Sequence, residues 1–538
     1  MMSERERWAT RIGLVLAMAG NAVGLGNFLR FPRQVALNGG GAFLIPYFFA
    51  FIFLGIPLMW LEWAMGRYGG QYGHSTTAGQ FHIMWKSKAA KYIGSIGISI
   101  PLLFAVYYIY IESWTLGYAF FSLIKKYFGI TEMGKMNIFL KDYQGANANG
   151  EFFTTILVAI FFWIITLSLN TLVISKGISG GVEKLARVAM PVLILFGIIL
   201  TIWVFTIGTP DAAKPDQSVT NGLGYVWNPN FSRLGDFGVW LAAAGQIFFT
   251  LSVGTGSIQT YASYLRKDDD CVLTGLSTSA TNEFVEVVLG GSIAIPISVA
   301  FLGLITTQMI ARQGSFDLGF VAMPIIFQQL PLGFIFGTMW FLLLFFAGIT
   351  SSVALTSPLM ALLSEKFALS RRRAALVVGL VLLVLGLPNV LFLKHGYMDQ
   401  YDFWIGTVLL AVLAFCETLV FVFAFSRPKV LASKIKNKLL GYLKYGLDVG
   451  WEEMRRSADM KIPGVFYYIL KFLVPVYLVV LFVGWLWQDL RSDSSVILMR
   501  GVESQTAIYQ WVSRLTIIGV ILGIAVLVGK AWSKKNEV

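Results

Sequence analysis

The sequence is poor in charge, cysteine and histidine, and each shortage excludes a class of protein. Only 13% of its 538 residues are charged, whereas soluble domains carry about 25%, so an ordinary water-soluble enzyme is excluded. The two cysteines, Cys271 and Cys416, lie in or beside apolar segments and indicate no disulfide framework. Three scattered histidines, without a His-Glu-x-x-His pair, leave little basis for histidine-dependent metal or acid–base chemistry.

Apolar residues dominate instead, at 56% of the chain, and the mean hydropathy is +0.69. Because a helix needs about 20 apolar residues to cross the hydrocarbon layer, the pattern predicts an all-α membrane protein with twelve transmembrane helices. Several runs exceed the bilayer thickness, which predicts tilted or broken helices. The predicted spans are approximately 11–37, 41–70, 88–124, 152–174, 184–207, 237–264, 272–303, 332–366, 371–393, 402–426, 463–489 and 507–531.

The placement of Lys and Arg predicts the orientation. With the N-terminus inside, inner segments would hold about 28 of these residues and outer segments about 13, which favours two cytoplasmic termini. The net charge of +13 is therefore attributed to membrane topology and not to a nucleic-acid partner. Residues 1–8 are charged and no cleavage site follows, so the first span is expected to be retained. We expect a multi-pass protein of the plasma (inner) membrane.

A polar insert, residues 427–462, separates the tenth and eleventh spans. Apolar side chains recur there at helical spacing with lysines between them, which predicts an interfacial amphipathic helix against anionic lipid. A solvated connector is the alternative. The apolar positions are Val430, Leu431, Ile435, Leu439, Leu440 and Leu443, and the lysines are Lys434, Lys436, Lys438 and Lys444.

Matching glycine pairs interrupt the first and sixth spans. Residues 22–27 and 252–257 share the pattern small-Val-Gly-x-Gly-polar near the middle of each span. Glycine costs about 1 kcal/mol relative to alanine within a helix, so each pair predicts a break. The copies lie an odd number of crossings apart and therefore run in opposite directions, as in the inverted repeats of secondary transporters. Close packing of small residues is the alternative.

Longer motifs extend this pattern over nearly the whole chain. They are GLGNFLRFP at 24–32, NGGGAF at 38–43, GIPL at 55–58, YYIYIESW at 107–114, GQIFFT at 245–250, NE at 282–283, GGS at 290–292, FAGITSS at 346–352 and DFW at 402–404. The chain in this respect resembles the neurotransmitter:sodium symporter family, and most of all its bacterial leucine transporters. The resemblance implies one transporter domain over 1–538. Helices 1–5 (11–207) and 6–10 (237–426) would form a 5+5 inverted repeat with broken helices 1 and 6, and 463–531 two peripheral helices.

The resemblance also implies two sodium ions per substrate, each bound by oxygen donors. The first site would use the Ala22 carbonyl, the Asn27 and Asn282 side chains, Thr250 and the carboxylate of the substrate. The second site would use the carbonyls of Gly20, Val23 and Ala347 and the hydroxyls of Thr350 and Ser351. Suitable oxygen donors occupy all of these side-chain positions.

The implied substrate site lies between the two breaks. Gly24 stands where the family's amine transporters carry aspartate, so the ligand is expected to bring its own carboxylate, as a neutral, hydrophobic L-amino acid does. Phe104 replaces a valine and Thr255 a phenylalanine of the leucine transporters, which reshapes the pocket. The implied binding residues are Asn21, Ala22, Leu25, Gly26, Phe104, Tyr108, Phe249, Thr250, Ser252, Thr255, Ser351 and Leu355.

Charged residues complete the implied machinery. Glu286 lies one helical turn after Asn282 and would supply the negative charge that chloride provides in chloride-dependent relatives, although a structural hydrogen bond is the alternative. Arg30 and Asp402 would form an outer gate through water. Arg5 and Trp8 would close the inner side against Glu365, where the family has an aspartate, with Ser263 and Tyr264 nearby.

Together with this resemblance, the sequence predicts sodium-coupled symport of an amino acid by alternating access, independent of chloride. The expected partners are Na⁺, a neutral L-amino acid and the lipid bilayer, and homodimerisation is left open. A membrane enzyme is disfavoured, because the aspartates at 268–270 lack the second cluster of a magnesium-diphosphate site. A non-transporting amino-acid sensor or a channel on the same scaffold is the alternative.

Overall fold

In the computed structural model, residues 6–147, 150–314 and 316–533 are described, and every regular element within them is a helix. Backbone polar groups find no partners in hydrocarbon, which is why the apolar runs form helices. We number the membrane helices α1 to α12. They are α1 (Arg11–Ala22 and Gly26–Leu37), α2 (Gly41–Gln71), α3 (Ala90–Leu123), α4 (Leu157–Ser175), α5 (Ile178–Ile207), α6 (Phe237–Leu251 and Ser257–Ala262), α7 (Cys271–Leu302), α8 (Gly333–Lys366), α9 (Arg371–Leu391), α10 (Tyr397–Ala432), α11 (Val465–Arg491) and α12 (Ser504–Ser533).

Both predicted breaks are present. The two halves of α1 meet at an angle of 47°, and α6 is interrupted between Leu251 and Ser257. The other ten helices are each long and apolar enough to cross a membrane alone. The all-α fold with broken first and sixth helices is therefore confirmed.

Burial separates a central group of helices from a peripheral one. The most apolar stretches of α3 and α7 are 83% buried, whereas those of α11 and α12 are 33% and 28% buried. The exposed side chains of the outer helices are large and apolar, as with Leu157, Val384 and Leu515. An apolar outer surface of this kind suits contact with lipid.

The insert differs from the prediction. Beyond the end of α10 at Ala432, it forms two short helices, Lys438–Tyr445 and Asp448–Arg455. The predicted amphipathic helix is divided in two, because Ser433 is extended and Asn437 starts a new helix, its side chain accepting from the backbone N–H of Leu439 at 2.9 Å.

The insert is fastened to α2 by a buried arginine. The Arg67 side chain is fully buried and pairs with Glu453 at 3.1 Å. Its guanidinium also donates to the backbone oxygens of Asp269 (2.7 Å) and Arg456 (3.0 Å). One side chain therefore joins α2, the α6–α7 connection and the insert.

Candidate functional site

The break in α1 is held open by side chains that replace the missing helical hydrogen bonds. The last regular bond runs from the Val23 N–H to the Ala19 carbonyl at 2.7 Å. The Gly24 N–H then donates to the Asn27 side-chain oxygen at 2.8 Å, and the Leu25 N–H donates to the Tyr108 hydroxyl at 2.9 Å. Satisfied donors of this kind let a non-helical backbone persist at membrane depth.

The break in α6 depends on backbone conformations that favour glycine. Gly254 and Gly256 have φ angles of +73° and +85°, and Ser252 also has a positive φ, of +56°. A Cβ on Gly256 would lie 2.1 Å from the carbonyl oxygen of Gly97 in α3. The Gly254 N–H donates to the Glu62 carboxylate at 2.6 Å. The break is thus set by glycine and by a buried carboxylate of α2.

The side chains of the first predicted sodium site form one buried cluster. Asn27 of α1 donates to the Asn282 side-chain oxygen at 2.9 Å, and Asn282 donates to the Thr250 hydroxyl at 3.0 Å. The Thr250 hydroxyl donates to Glu286, which also accepts from Gln246 at 2.8 Å. Oxygen donors from α1, α6 and α7 converge here, beside the only one of these residues that can carry a negative charge.

The residues of the second predicted sodium site meet where α1 approaches α8. The Ser351 hydroxyl lies 3.1–3.2 Å from the carbonyl oxygens of Gly20, Val23 and Ala347. The Thr350 hydroxyl lies 3.2 Å from the Ala347 carbonyl. These carbonyl and hydroxyl groups offer neutral oxygen atoms as ligands, the type that hard cations prefer. Across the described ranges no three His, Cys, Asp or Glu side chains converge as a metal-binding group.

A narrow cavity lies between the two breaks. Eleven of the twelve predicted substrate residues line it, namely Asn21, Ala22, Gly26, Phe104, Tyr108, Phe249, Thr250, Ser252, Thr255, Ser351 and Leu355. The twelfth, Leu25, is outside the lining and contributes only its N–H to Tyr108. Leu410 of α10 also lines the cavity, and the sequence analysis missed it.

Aromatic rings reduce the space in this cavity. Phe104, which replaces a smaller residue of the leucine transporters, lies 5.7 Å from the ring centres of both Tyr108 and Phe249. The Thr255 hydroxyl is engaged within α6, 2.7 Å from the Ser252 carbonyl. The two departures from the leucine-transporter pattern therefore act in different ways: Phe104 adds a ring to the aromatic group, and Thr255 braces the break.

Phe249 separates the cavity from the predicted outer gate. Its ring sits against Gly26, where a Cβ would lie 2.5 Å from it, and the Arg30 guanidinium lies 4.3 Å above the ring. Asp402 accepts from the Tyr107 hydroxyl at 3.1 Å. In the described part of the chain Arg30 forms no direct ion pair with Asp402, and its buried Nη1 has no hydrogen-bond partner.

On the opposite side, Trp8 closes over α6. Its indole N–H donates to the Tyr261 carbonyl at 3.1 Å, and the two rings meet edge to face. Glu365 accepts from the Ser75 N–H at 3.1 Å and from the Ser75 hydroxyl. Ser263 donates to the Thr260 carbonyl at 2.6 Å, and Tyr264 is half-buried. The predicted Arg5 contact lies outside the described residues.

Two buried carboxylates near the α6 break were missed. Glu62 of α2 and Glu417 of α10 are fully buried, and Glu62 accepts from the Gly254 N–H. An ionisable residue inside an apolar span marks a functional site by default. The same signal that singled out Glu286 was therefore present in the sequence at both positions.

Comparison with protein-family models identifies the family of the chain. The profile of the sodium:neurotransmitter symporter family matches residues 5–131 and 139–490. The chain belongs to the sodium:neurotransmitter symporter family. This is a family of sodium-dependent transporters, and the many long apolar helices agree with a multi-pass membrane protein.

Individual relatives of the symporter family agree with this assignment. An uncharacterised sodium-dependent transporter of Methanocaldococcus jannaschii is 31% identical over 430 residues, 79% of this chain and 83% of the relative. The mouse sodium- and chloride-dependent neutral and basic amino acid transporter B(0+) is 25% identical over 437 residues, 71% of this chain and 67% of the relative. The crystal structure of MhsT in complex with L-phenylalanine superposes with a TM-score of 0.71 at 27% identity, covering 89% of this chain and 99% of MhsT.

Proposed function

We propose that this chain is a symporter that couples the entry of sodium to the import of a neutral, hydrophobic L-amino acid by alternating access. The observation that carries the proposal is that both breaks open onto the same cavity, with neutral oxygen ligands from α1, α6, α7 and α8 around it. Broken helices of this kind present carbonyls to a cation and N–H groups to an anion.

The substrate is assigned from the chemistry of the α1 break. A Cβ on Gly24 would lie 2.8 Å from the Tyr108 hydroxyl, so no side-chain carboxylate fits at this position without displacing Tyr108. The ligand must therefore supply the carboxylate, beside the Gly26 backbone and the Tyr108 hydroxyl. The ligand of MhsT, L-phenylalanine, and the substrates named for the mouse relative are amino acids too.

Two sodium ions are proposed to accompany each amino acid. We assign the first to Ala22, Asn27, Thr250 and Asn282 with the carboxylate of the substrate, and the second to Gly20, Val23, Ala347, Thr350 and Ser351. Each positive charge moved inward gains about 2.3 kcal/mol per 100 mV. At 100 mV, two sodium ions carried with a zwitterionic amino acid would gain about 4.6 kcal/mol. This free energy is enough for roughly a thousandfold accumulation of the amino acid inside.

Chloride independence is proposed from Glu286. The mouse relative is named as chloride-dependent, whereas here a buried carboxylate bonds the Thr250 hydroxyl of the first sodium site. A fixed negative charge in hydrogen-bond contact with a ligand of the proposed sodium site can balance the cation without a bound anion.

Alternating access is proposed to occur within one domain. Helices α1, α2, α6 and α7 would rock against the rest, with both termini on the cytoplasmic face, 11–207 and 237–426 as the repeats, and the plasma (inner) membrane as the location. Arg30 and Asp402 would form the outer gate, and Trp8, Glu365, Ser263 and Tyr264 the inner gate with Arg5.

Uptake into sealed proteoliposomes tests the proposal. We expect saturable accumulation of a radiolabelled neutral amino acid under an inward sodium gradient, faster with an inside-negative potential and unchanged when chloride is replaced by gluconate. Sodium-dependent binding without uptake would favour the sensor. Steady ionic current without an amino acid would favour the channel.

A further inference from the structure

A second cavity, remote from the amino-acid site, lies where α10 meets the insert. It has a volume of about 480 Å³. Its walls are largely apolar and include Trp85 from the connection before α3, Ile93 from the first turn of α3, and Val420 and Phe423 from α10. We call this cavity the α10 groove.

The polar end of the α10 groove is cationic. Arg427 at the end of α10 and Lys438 of the helix Lys438–Tyr445 line it together with Tyr442. Within the described ranges no carboxylate lines the groove, and neither cation forms an ion pair. The nearby Lys429, in contrast, pairs with Asp448 at 3.0 Å and Glu452 at 3.2 Å. The groove therefore presents two uncompensated positive charges to whatever occupies it.

The surroundings of the α10 groove are suited to lipid and not to water. Leu419 and Leu431, both in its lining, are 37% and 56% exposed. Leu439 and Leu440 of the neighbouring insert helix are 68% and 54% exposed. Exposed leucines beside lysines, at the end of a membrane helix, are typical of the boundary between acyl chains and headgroups.

We propose that the α10 groove binds one anionic glycerophospholipid. An acyl chain lies along Trp85, Val420 and Phe423, and the phosphate lies between Arg427 and Lys438, where it accepts charge-assisted hydrogen bonds. A free phosphate ester would leave the apolar wall uncovered, and a zwitterionic lipid would leave the net charge of the two cations unbalanced. Because Lys438 belongs to the insert, the bound lipid joins the insert to α10.

Native mass spectrometry of the detergent-solubilised full-length protein tests this site. The probes are phosphatidylglycerol and phosphatidylcholine with identical acyl chains, and glycerol 3-phosphate as the soluble competitor. We expect one tight phosphatidylglycerol adduct, weakened about 30-fold in the double variant Arg427→Gln/Lys438→Gln, since each cation near a headgroup contributes about fivefold. Ala424→Trp, which fills the apolar wall and keeps both charges, should weaken the adduct as well.

The matched control is Lys434→Gln/Lys436→Gln, which removes the same charge from the insert outside the groove. We expect its adduct to stay within threefold of the parent. All variants are first checked for an unchanged unfolding temperature, and the single variants Arg427→Gln and Lys438→Gln, each about fivefold weaker, replace the double variant if it unfolds. Equal binding of phosphatidylcholine, displacement by equimolar glycerol 3-phosphate, an equal loss in the control, or full retention in the groove variants would each overturn the proposal.

Discussion

Glu286 lies beside the proposed first sodium site and is the residue most relevant to how a bound sodium ion is balanced in charge. It is fully buried in α7, accepts from Gln246 at 2.8 Å and bonds the Thr250 hydroxyl. A carboxylate held by two donors beside a cation site contributes fixed charge that the protein would otherwise take from solution. Substitution of Glu286 is therefore expected to change how transport depends on anions in solution.

We predict that Glu286→Ser makes transport depend on chloride. Removing the carboxylate would leave an ion in the proposed first sodium site without a balancing charge, and the smaller side chain would leave room for an anion. Uptake without chloride should fall at least tenfold, by about 1.4 kcal/mol or more, and recover when chloride is added. The control is Glu112→Gln, which changes another fully buried carboxylate, in α3, that accepts from Asn170 at 3.4 Å; it should stay chloride-independent. Indifference of Glu286→Ser to chloride would refute the role.

Tyr108 is positioned to bind the carboxylate of the proposed substrate. Its hydroxyl, which accepts from the Leu25 N–H at 2.9 Å, lines the cavity, where its proton can be donated to a carboxylate. Since a hydrogen bond to a charged group contributes about 1.5–3 kcal/mol, Tyr108→Phe should weaken amino-acid binding by roughly 10- to 150-fold. Tyr110→Phe removes a buried hydroxyl of the same helix that bonds the Gln144 carbonyl instead, and equilibrium binding by this control should match the parent.

Residues were predictable from the sequence where a motif fixes them, as for Asn27 and Thr250. Contacts made by distant helices were not. Glu62 reaches the Gly254 N–H from α2, and Leu410 reaches the cavity from α10. Such contacts depend on how the helices pack and how each helix is rotated about its axis. The spacing of residues along one helix does not determine either.

At the scale of elements, the break in α6 is the feature most sensitive to a small change. Gly256 has a φ of +85°, and a Cβ there would meet the Gly97 carbonyl at 2.1 Å. Gly245, in the preceding half of the same helix, has open space around it. The two glycines form a matched pair.

We predict that Gly256→Ala lowers the unfolding temperature and abolishes sodium-dependent amino-acid binding, because α6 and α3 must separate to admit the methyl group. Gly245→Ala should retain binding and be neutral or slightly stabilising, as alanine is the better helix former by about 1 kcal/mol. Fluorescence-detected thermal unfolding and equilibrium binding measure both. Equal behaviour of the two variants would contradict a break that requires glycine.

Long apolar runs gave the membrane helices, because burial of the backbone in hydrocarbon admits few alternatives. Their ends were less predictable. Gly396, with a φ of +67°, lets α10 begin at Tyr397, five residues before the predicted start. The division of the insert helix was not predictable for a related reason. The helical spacing of apolar residues over 430–443 continues across Asn437, the N-cap of the second helix, without a visible interruption.

At the scale of the whole molecule, Arg67 ties the insert to the part of the protein that is proposed to move. The pair with Glu453 is buried, with side-chain exposures of 0% and 7%. The insert should therefore travel with α2 during alternating access. It should also contribute to the stability of the entire fold.

We predict that Arg67→Met destabilises the protein by about 1–3 kcal/mol, because it removes the buried partner of Glu453 and leaves that carboxylate paired only with Arg456, at 2.9 Å. Adding Glu453→Leu should restore part of that loss, since the largely buried carboxylate is then gone. Lys429→Gln, which breaks exposed pairs with Asp448 and Glu452, should cost no more than about 1 kcal/mol. A double-mutant cycle of unfolding free energies checks the coupling; additive effects at Arg67 and Glu453 would contradict it.

The two helix breaks are proposed to hold a sodium ion and the carboxylate of an amino acid in contact. Equilibrium binding of a radiolabelled neutral amino acid to the purified protein, titrated with sodium at constant ionic strength, measures whether the ion and the amino acid bind together. We expect the affinity to rise steeply with sodium, and the corresponding decarboxylated amine to compete at least tenfold more weakly, since it offers the ion no oxygen ligand. Binding that is unchanged when choline replaces sodium, or equal competition by the amine, would contradict the account.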